Sequence, residues 1–287
     1  MTDSIGLSLL RAFALHERYD EKQSRKGLYM TGVIRAMNKY RFLLGQLVAR
    51  DFKTRYKRSV LGVLWSMLNP LLTMGVQYLV FVNLFRWEIE NYAVYLLIGT
   101  VTFNFFSEAT QSALTSITGS ASLITKVYIP TYVFPVSKVL SSCINLAFST
   151  LALYVIILIQ GVPLNVYHLL IPVLYATLIL FSLGFGMILS ALMVYFRDMQ
   201  FLYGVVITLW MYLTPLFYPV NIIPDNLFKI YRLNPMYQYV TFFRTLVLDA
   251  ACPSLEQFAF CVGYAVLFMV LGTVIFGKMK KKFILYV

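Results

Sequence analysis

Val60–Val82 reads VLGVLWSMLNPLLTMGVQYLVFV, 23 residues without a charged side chain, reached through the basic run Arg50, Lys53, Arg55, Lys57 and Arg58. At 1.5 Å per residue such a helix extends about 34 Å, enough for the roughly 30 Å hydrocarbon core of a bilayer. Asn69-Pro70 interrupts the run. Pro70 has no N–H to donate, so a local bend is expected there.

The rest of the chain has the same character. Hydrophobic residues make up 60% and charged residues 13%, where a soluble domain carries about a quarter charged. The formal net charge is +12, and its placement argues against nucleic acid. Residues 1–58 hold 13 Lys/Arg against 5 Asp/Glu, and the other 229 residues hold 11 against 7. A basic end joined to apolar spans matches a cytoplasmic flank facing anionic lipid. Cys143, Cys252 and Cys261 lack metal-like spacing, and an odd number cannot pair completely within the chain. The first 30 residues lack an early apolar core with a small-residue cleavage site, so no cleavable signal peptide is expected. Leu28, Val33, Met37, Tyr40, Leu44 and Leu47 recur at spacings of three to five, between Arg35, Lys39 and Arg41. That pattern predicts an amphipathic helix over 28–47 at the cytoplasmic interface.

Six crossings account for the apolar stretches, at about 61–84, 93–115, 134–159, 167–194, 201–218 and 257–277. With both termini cytoplasmic, Lys126, Lys138, Arg197, Lys278, Lys280, Lys281 and Lys282 share a side with the basic N-terminal region. The other side receives Arg86 beside Glu88 and Glu90, the uncharged 160–166 turn and the 219–256 link. The positive-inside rule selects that orientation. In the fourth stretch, Pro163 and Pro172 constrain the helix start, and Gly184 and Gly186 permit close helix contact or a kink. Pro215, Pro219, Pro224 and Asn234-Pro235 punctuate the last link. Its apolar pieces are too short to span, which predicts two short re-entrant helices at about 222–232 and 236–248. The expected protein is an all-α polytopic membrane protein. It has six transmembrane helices, an N-terminal amphipathic interfacial helix and short re-entrant helices between spans five and six. Its parts are a basic cytoplasmic region 1–58, a transmembrane domain 59–277 and a basic cytoplasmic tail 278–287.

Catalytic equipment is not expected. There is no GKS/T phosphate loop, HExxH, GxSxG turn or His/Cys cluster, and His16 and His168 stand alone. Passage, docking or anchoring remain as functions. Glu108 and Lys138 are the few ionisable residues inside spans, a weak basis for an ion-coupled carrier. Tyr203, Trp210 and Phe217 repeat every seven residues, and Tyr78, Phe81 and Phe85 form a similar stripe. Such stripes suit the passage of sugar rings, and equally suit lipid-facing or girdle positions.

Arg55–Phe81, RYKRSVLGVLWSMLNPLLTMGVQYLVF, combines a basic approach, SxLGxLW and an Asn-Pro pair. It resembles the permease subunit of the bacterial ABC-2 polysaccharide exporters, which handle O-antigen, teichoic acid and capsule. LITKVYIP at Leu123–Pro130, YFRD at Tyr195–Asp198, and the Leu213–Pro219 to Asn234–Pro235 region extend the resemblance over about 35–277. It implies a subunit of the bacterial plasma (inner) membrane that works with a second copy of itself and two copies of an ABC ATPase. No cofactor would be bound by this chain, with ATP and Mg2+ held by the partner ATPase. Ser120, Thr125, Lys126, Val127 and Tyr128 would form the main coupling segment, and Arg197 and Asp198 a second contact. Pro224, Asn234, Pro235, Tyr237 and Tyr239 would guard the external exit. The aromatic stripes would line the route for a lipid-linked polysaccharide. Arg55, Lys57 and Arg58 would attract its head group, or simply anchor the chain at the membrane surface. A permease for a small lipid or drug, and a scaffold of a glycan-synthesis complex, are the alternative readings.

Overall fold

A computed structural model of the protein describes residues 40–57, 59–83, 89–124, 129–280 and 283. The chain divides between Leu43 and Leu44 into two units, and the contacts below lie within the second. Helix α1 (Arg41–Tyr56) is followed by α2 (Trp65–Asn83), α3 (Tyr92–Leu114), α4 (Val133–Ile159) and α5 (Ile171–Tyr195). Then come α6 (Met199–Tyr212), α7 (Asp225–Arg232), α8 (Pro235–Val247) and α9 (Leu255–Met279). The predicted helix over 28–47 lies outside the described residues up to residue 39; within α1, Leu44 and Leu47 are buried.

The SxLG motif has a local cause. Gly62 sits at φ +50°, in the left-handed region that glycine tolerates, and its N–H donates to Ser59 Oγ at 3.1 Å. The turn at Gly62–Leu64 then feeds α2, which contains Pro70. Pro70 cannot donate to the Ser66 carbonyl four residues back, and that carbonyl accepts instead from Ser149 Oγ on α4 at 3.5 Å. Pro172 falls in the first turn of α5, where its missing N–H costs nothing.

The count of six crossings is corrected to four. Among the described residues, the helices long and apolar enough to cross a membrane are Gly62–Asn83, Val133–Ile159, Val166–Tyr195 and Leu255–Met279. α3 has the length, 23 residues, but carries Thr100, Thr102, Asn104, Ser107, Glu108, Thr110 and Gln111. It packs against α2, α4 and α5, and most of its residues are buried. Protein encloses this helix, so an apolar surface is not required of it. α6 is apolar, but its 14 residues reach only about 21 Å before Leu213–Pro219 breaks the helix. The expected re-entrant pair is corrected as well. Short helices form as α7 and α8, close to the expected limits, but nothing identifies them as re-entrant.

α5 and α9 make the closest crossing. A Cβ on Gly184 would lie 2.3 Å from the Phe268 backbone, and one on Gly272 would lie 2.3 Å from the Gly184 carbonyl oxygen. Gly186 meets Ala113 of α3 in the same way, at 2.8 Å. Small residues let these backbones approach where a hydrophobic driving force between helices is lacking.

At one end of the bundle, Ile117, Met187, Ala191, Val194, Phe276 and Phe283 form a buried apolar cluster, with Ile124, Tyr132, Tyr195 and Met279 against it. At the other end, Tyr92 and Tyr95 of α3 donate to the carbonyls of Phe217 and Tyr218, at 2.6 and 2.8 Å. Arg244 of α8 completes this second end. Its guanidinium donates to the carbonyls of Pro215 at 2.8 Å, Leu216 at 3.0 Å and Tyr95 at 3.3 Å, and lies 3.4 Å over the Tyr95 ring. No carboxylate pairs with it among the described residues. Burial pushes its pKa down to about 10, so it stays charged at neutral pH.

Three outcomes are expected. Gly184→Ala should cost about 1–3 kcal/mol through overpacking, seen as a lower melting temperature of the purified protein. Gly263→Ala, where an added Cβ meets nothing within 4 Å, should be close to neutral. Arg244→Leu orphans three buried carbonyls and should destabilise by about 2–5 kcal/mol. An unchanged melting temperature for it would mean those carbonyls find other donors.

Candidate functional site

α1 is tied to the bundle by ion pairs. Arg55 Nη1 donates to Glu108 Oε1 on α3 at 2.5 Å, and Lys138 Nζ on α4 lies 2.8 Å from Asp51 Oδ2. Glu108 Oε1 also accepts from Asn145 Nδ2 at 2.6 Å and from Ser142 Oγ at 3.3 Å. The Tyr56 hydroxyl donates to Asn145 Oδ1 at 3.1 Å and is hydrogen-bonded to Ser66 Oγ on α2. The two ionisable residues expected inside spans are thus each paired with an opposite charge on α1.

Beside this network lies a cavity of about 370 Å³. Trp65, Asn69 and Thr73 of α2, Asn104 and Glu108 of α3, and Asn145 and Ser149 of α4 contribute to its walls, with Arg55 and Tyr56 of α1. Both hydrogen-bond donors and acceptors line it. The one cation and one carboxylate among its described lining residues are bonded to each other.

The residues expected to meet a head group are divided by the structure. Arg55 is committed to Glu108, Lys57 is exposed, and Arg58 lies outside the described residues. Of the first aromatic stripe, Tyr78 is partly exposed with its ring 6.0 Å from Tyr92, and Phe81 stacks on Phe217 at 5.7 Å. Phe85 lies outside the described residues. Tyr203 and Trp210 share a face of α6 that packs inside the subunit, whereas Phe217, expected on the same stripe, lies beyond the end of α6 in the Leu213–Pro219 break and is buried there. The Tyr203 hydroxyl bonds Thr110 Oγ1 at 2.6 Å, and Trp210 packs edge-on to Phe106 while donating from Nε1 to Asn234 Oδ1 at 2.8 Å. Phe201, Leu202, Val205, Leu209 and Tyr212 make up the exposed side of α6.

Ser120 is buried next to the apolar end cluster, while Arg197 and Asp198 are exposed at the turn after α5. That cluster and the 2.8 Å bond from the Tyr195 hydroxyl to the Met279 carbonyl bring the two expected coupling regions to one end. Thr125, Lys126, Val127 and Tyr128 lie outside the described residues. Among the expected exit residues, Pro224 is exposed, and Asn234 caps α8 by accepting from the Met236 N–H at 3.0 Å. Pro235 occupies the first turn of α8, and Tyr237 is buried against Phe228. Tyr239 is fully buried, its hydroxyl donating to the Cys261 carbonyl at 2.8 Å. It is a core residue of the α8–α9 contact.

Three residues gave no sequence signal as site residues. Arg244 reads as one charge at the end of a short apolar helix, and Asn104 and Asn145 read as isolated amides. The available clue was the density of hydroxyl and amide side chains over 100–111, which no lipid-facing helix would carry. No group of His, Cys, Asp or Glu among the described residues could hold a metal ion.

Comparison with known proteins agrees with a transport component. Residues 43–248 match the ABC-2 type transporter family. The chain is 30% identical over 256 residues to the O-antigen export system permease protein RfbA of Myxococcus xanthus, covering 88% of this chain and 98% of that protein. It is 29% identical to RfbA of Klebsiella pneumoniae, over 84% of this chain and 93% of the relative. Its identity to the polysialic acid transport protein KpsM of Escherichia coli is 22%, over 70% and 80%. A multi-pass helical bundle of this composition, matched over most of its length, belongs to the ABC-2 type transporter family as a membrane permease related to the O-antigen, capsule and polysialic acid export systems.

Proposed function

We propose that this chain is the channel-forming subunit of an ATP-driven exporter of lipid-linked polysaccharide, of O-antigen, teichoic acid or capsule type. The observation that carries this reading is the similarity to O-antigen export permeases over nearly the whole length of both chains. Two copies of the permease form the route, and two ATPase subunits bind ATP and Mg2+ and hydrolyse the nucleotide. The permease itself makes and breaks no bond.

The end of the bundle carrying α1 and the Ile117–Phe283 cluster faces the cytosol. It gathers Arg50, Lys53, Arg55, Lys57, Lys138, Arg197, Lys278 and Lys280, the asymmetry that positive-inside insertion demands. There the 120–128 segment receives the ATPase, with Arg197 and Asp198 as the second contact. Motion at Ser120 and Ile124 passes through the apolar cluster to the ends of α5 and α9. The glycan passes along the partly exposed outer face of α2, where Trp65 and Tyr78 offer ring surface. The exposed side of α6 from the second copy closes the route from the opposite side. Lys57 and Arg58 attract the anionic head group. At the far end, the Pro224, Asn234 and Tyr237 region borders the exit.

Mild extraction from native membranes, followed by mass spectrometry of copurifying proteins and lipids, tests the reading. A stoichiometric ATPase with lipid-linked glycan is expected; a dimeric permease with no ATPase would favour a scaffold, and a small lipid or drug as cargo would favour the other permease class. Replacing Thr125–Tyr128 with a Gly/Ser segment should abolish ATPase recovery while insertion stays normal; full recovery with normal export would remove that segment from coupling. Lys57→Gln with Arg58→Gln should lower export several-fold, since each basic residue near an anionic surface contributes about 1 kcal/mol. Arg55 is kept in that variant, because removing it would orphan Glu108 and confound the result.

A further inference from the structure

Polar groups without protein partners cluster in the cavity between α1, α2, α3 and α4. Asn104 stands midway along α3, exposed, with no hydrogen bond to any described residue. Asn69 of α2 is also exposed, and among the described residues its side chain makes one hydrogen bond, a long 3.5 Å one that Thr73 Oγ1 donates to Oδ1, with no acceptor for its own N–H groups. Glu108 gathers Arg55, Asn145 and Ser142 on Oε1 alone, and Oε2 accepts from no described residue. Amides in hydrocarbon are costly unless water or a polar ligand reaches them. Their persistence, one in the second turn of α2 and one midway along α3, calls for such a ligand.

The chemistry of the walls selects its kind. Amides offer donors and acceptors together, the free carboxylate oxygen accepts, and the Trp65 indole, 44% exposed, offers an apolar face. A sugar ring presents the complement, with hydroxyls that donate and accept around its edge and C–H groups on its faces. An acyl tail would leave the amides unpaired. A phosphate or acidic sugar would find, among the described lining residues, one cation, Arg55, already bound at 2.5 Å to a carboxylate that repels it. The volume, about 370 Å³, falls within the roughly 300–1,000 Å³ of small-ligand sites.

We infer that this cavity is a subsite for one uncharged sugar ring of the glycan in transit, seated against Trp65 and bonded by Asn69, Asn104 and Glu108. The inference rests on the export reading above and adds a holding position inside each subunit. The advancing chain can pause there between strokes of the ATPase.

Photo-crosslinking in cells that make the glycan tests it. A benzophenone amino acid replaces Asn104 in one variant and Val205, on the exposed side of α6, in another; the intact permease–ATPase complex is then irradiated, purified and analysed for attached sugar. Neutral sugar attached at position 104 is expected. Glycan attached at 205 alone would overturn the subsite and leave the export reading standing. Glycan attached at neither position would overturn both. A fragment bearing carboxylate or phosphate at 104 would overturn the assignment of an uncharged ring. Should the position-104 variant fail to insert, the same reporter at Asn69 decides the question. In parallel, Asn104→Leu should lower export roughly tenfold, the scale of a lost hydrogen bond to a bound polar group. ATPase recovery should be unchanged, and Asn104→Gln should restore much of the loss. Export at the normal rate with Asn104→Leu would also sink the proposal.

Discussion

The buried guanidinium of Arg244 sets the arrangement of the far half of this permease. α6 ends early, and the Leu213–Pro219 break that follows leaves carbonyls with no helical partner. Arg244 collects two of them, Pro215 and Leu216, and adds the Tyr95 carbonyl from α3. A lysine could not do the same, since a single ammonium does not present a planar fork of donors. Gly99 is small for the same reason: a Cβ there would lie 3.1 Å from the guanidinium and 3.2 Å from the Leu216 carbonyl oxygen. The hydroxyls of Tyr92 and Tyr95 then fix the next two carbonyls, those of Phe217 and Tyr218. Four consecutive carbonyls after a helix break are therefore satisfied from α3 and α8. That is what lets irregular backbone exist at this position without exposing it to lipid.

The opposite end is built on another principle. Ile117, Met187, Val194, Phe276 and Phe283 meet in an apolar cluster that joins three chain segments without directional bonds. α5 and α9 are locked a short distance away by the Gly184–Gly272 contact, where no side chain intervenes. Displacement of the link after α3 is thus delivered to a stiff pair of helices. The far end is held by hydrogen bonds of fixed geometry and the near end by packing.

Much of this was legible in the sequence. Four of the six apolar runs expected as crossings are helices long and apolar enough to span, Gly184 and Gly186 marked a place for either close contact or a kink, and the prolines marked the irregular link after α6 and the start of α8. The unread part has one physical cause. Hydropathy reports what faces lipid, so it assigns a crossing by apolarity and says nothing of a helix sheathed in protein. α3 carries its hydroxyls, amides and Glu108 because α2, α4 and α5 surround it. A heptad spacing likewise shows that Tyr203 and Trp210 share a face, and neither that the helix stops before Phe217 nor which way the face turns. Here it turns inward, and Thr110 and Asn234 take up the polar atoms. Pairing across 53 residues, as between Arg55 and Glu108, leaves no local trace at all.

The strengths of these contacts separate what moves from what stays. The Arg55–Glu108 pair holds α1 to α3 while partly exposed, with Arg55 at 41% and Glu108 at 31%, and the more enclosed Lys138–Asp51 pair, with Asp51 at 14%, holds it to α4. A partly exposed pair such as Arg55–Glu108 contributes only about 0–1 kcal/mol. Opening that pair costs far less than parting α5 from α9, where packed backbone surfaces would lose their contacts with nothing to replace them. The cavity lies on the weak side of that division, its walls shared between α1 and α2 on one hand and α3 and α4 on the other. A small outward shift of α1 therefore widens the cavity and frees Glu108 and Arg55 together, while the rest of the bundle keeps its shape. A site that must grip and release a repeating polymer is best placed where the protein can open at the lowest cost, and the charge pairs of α1 put it there.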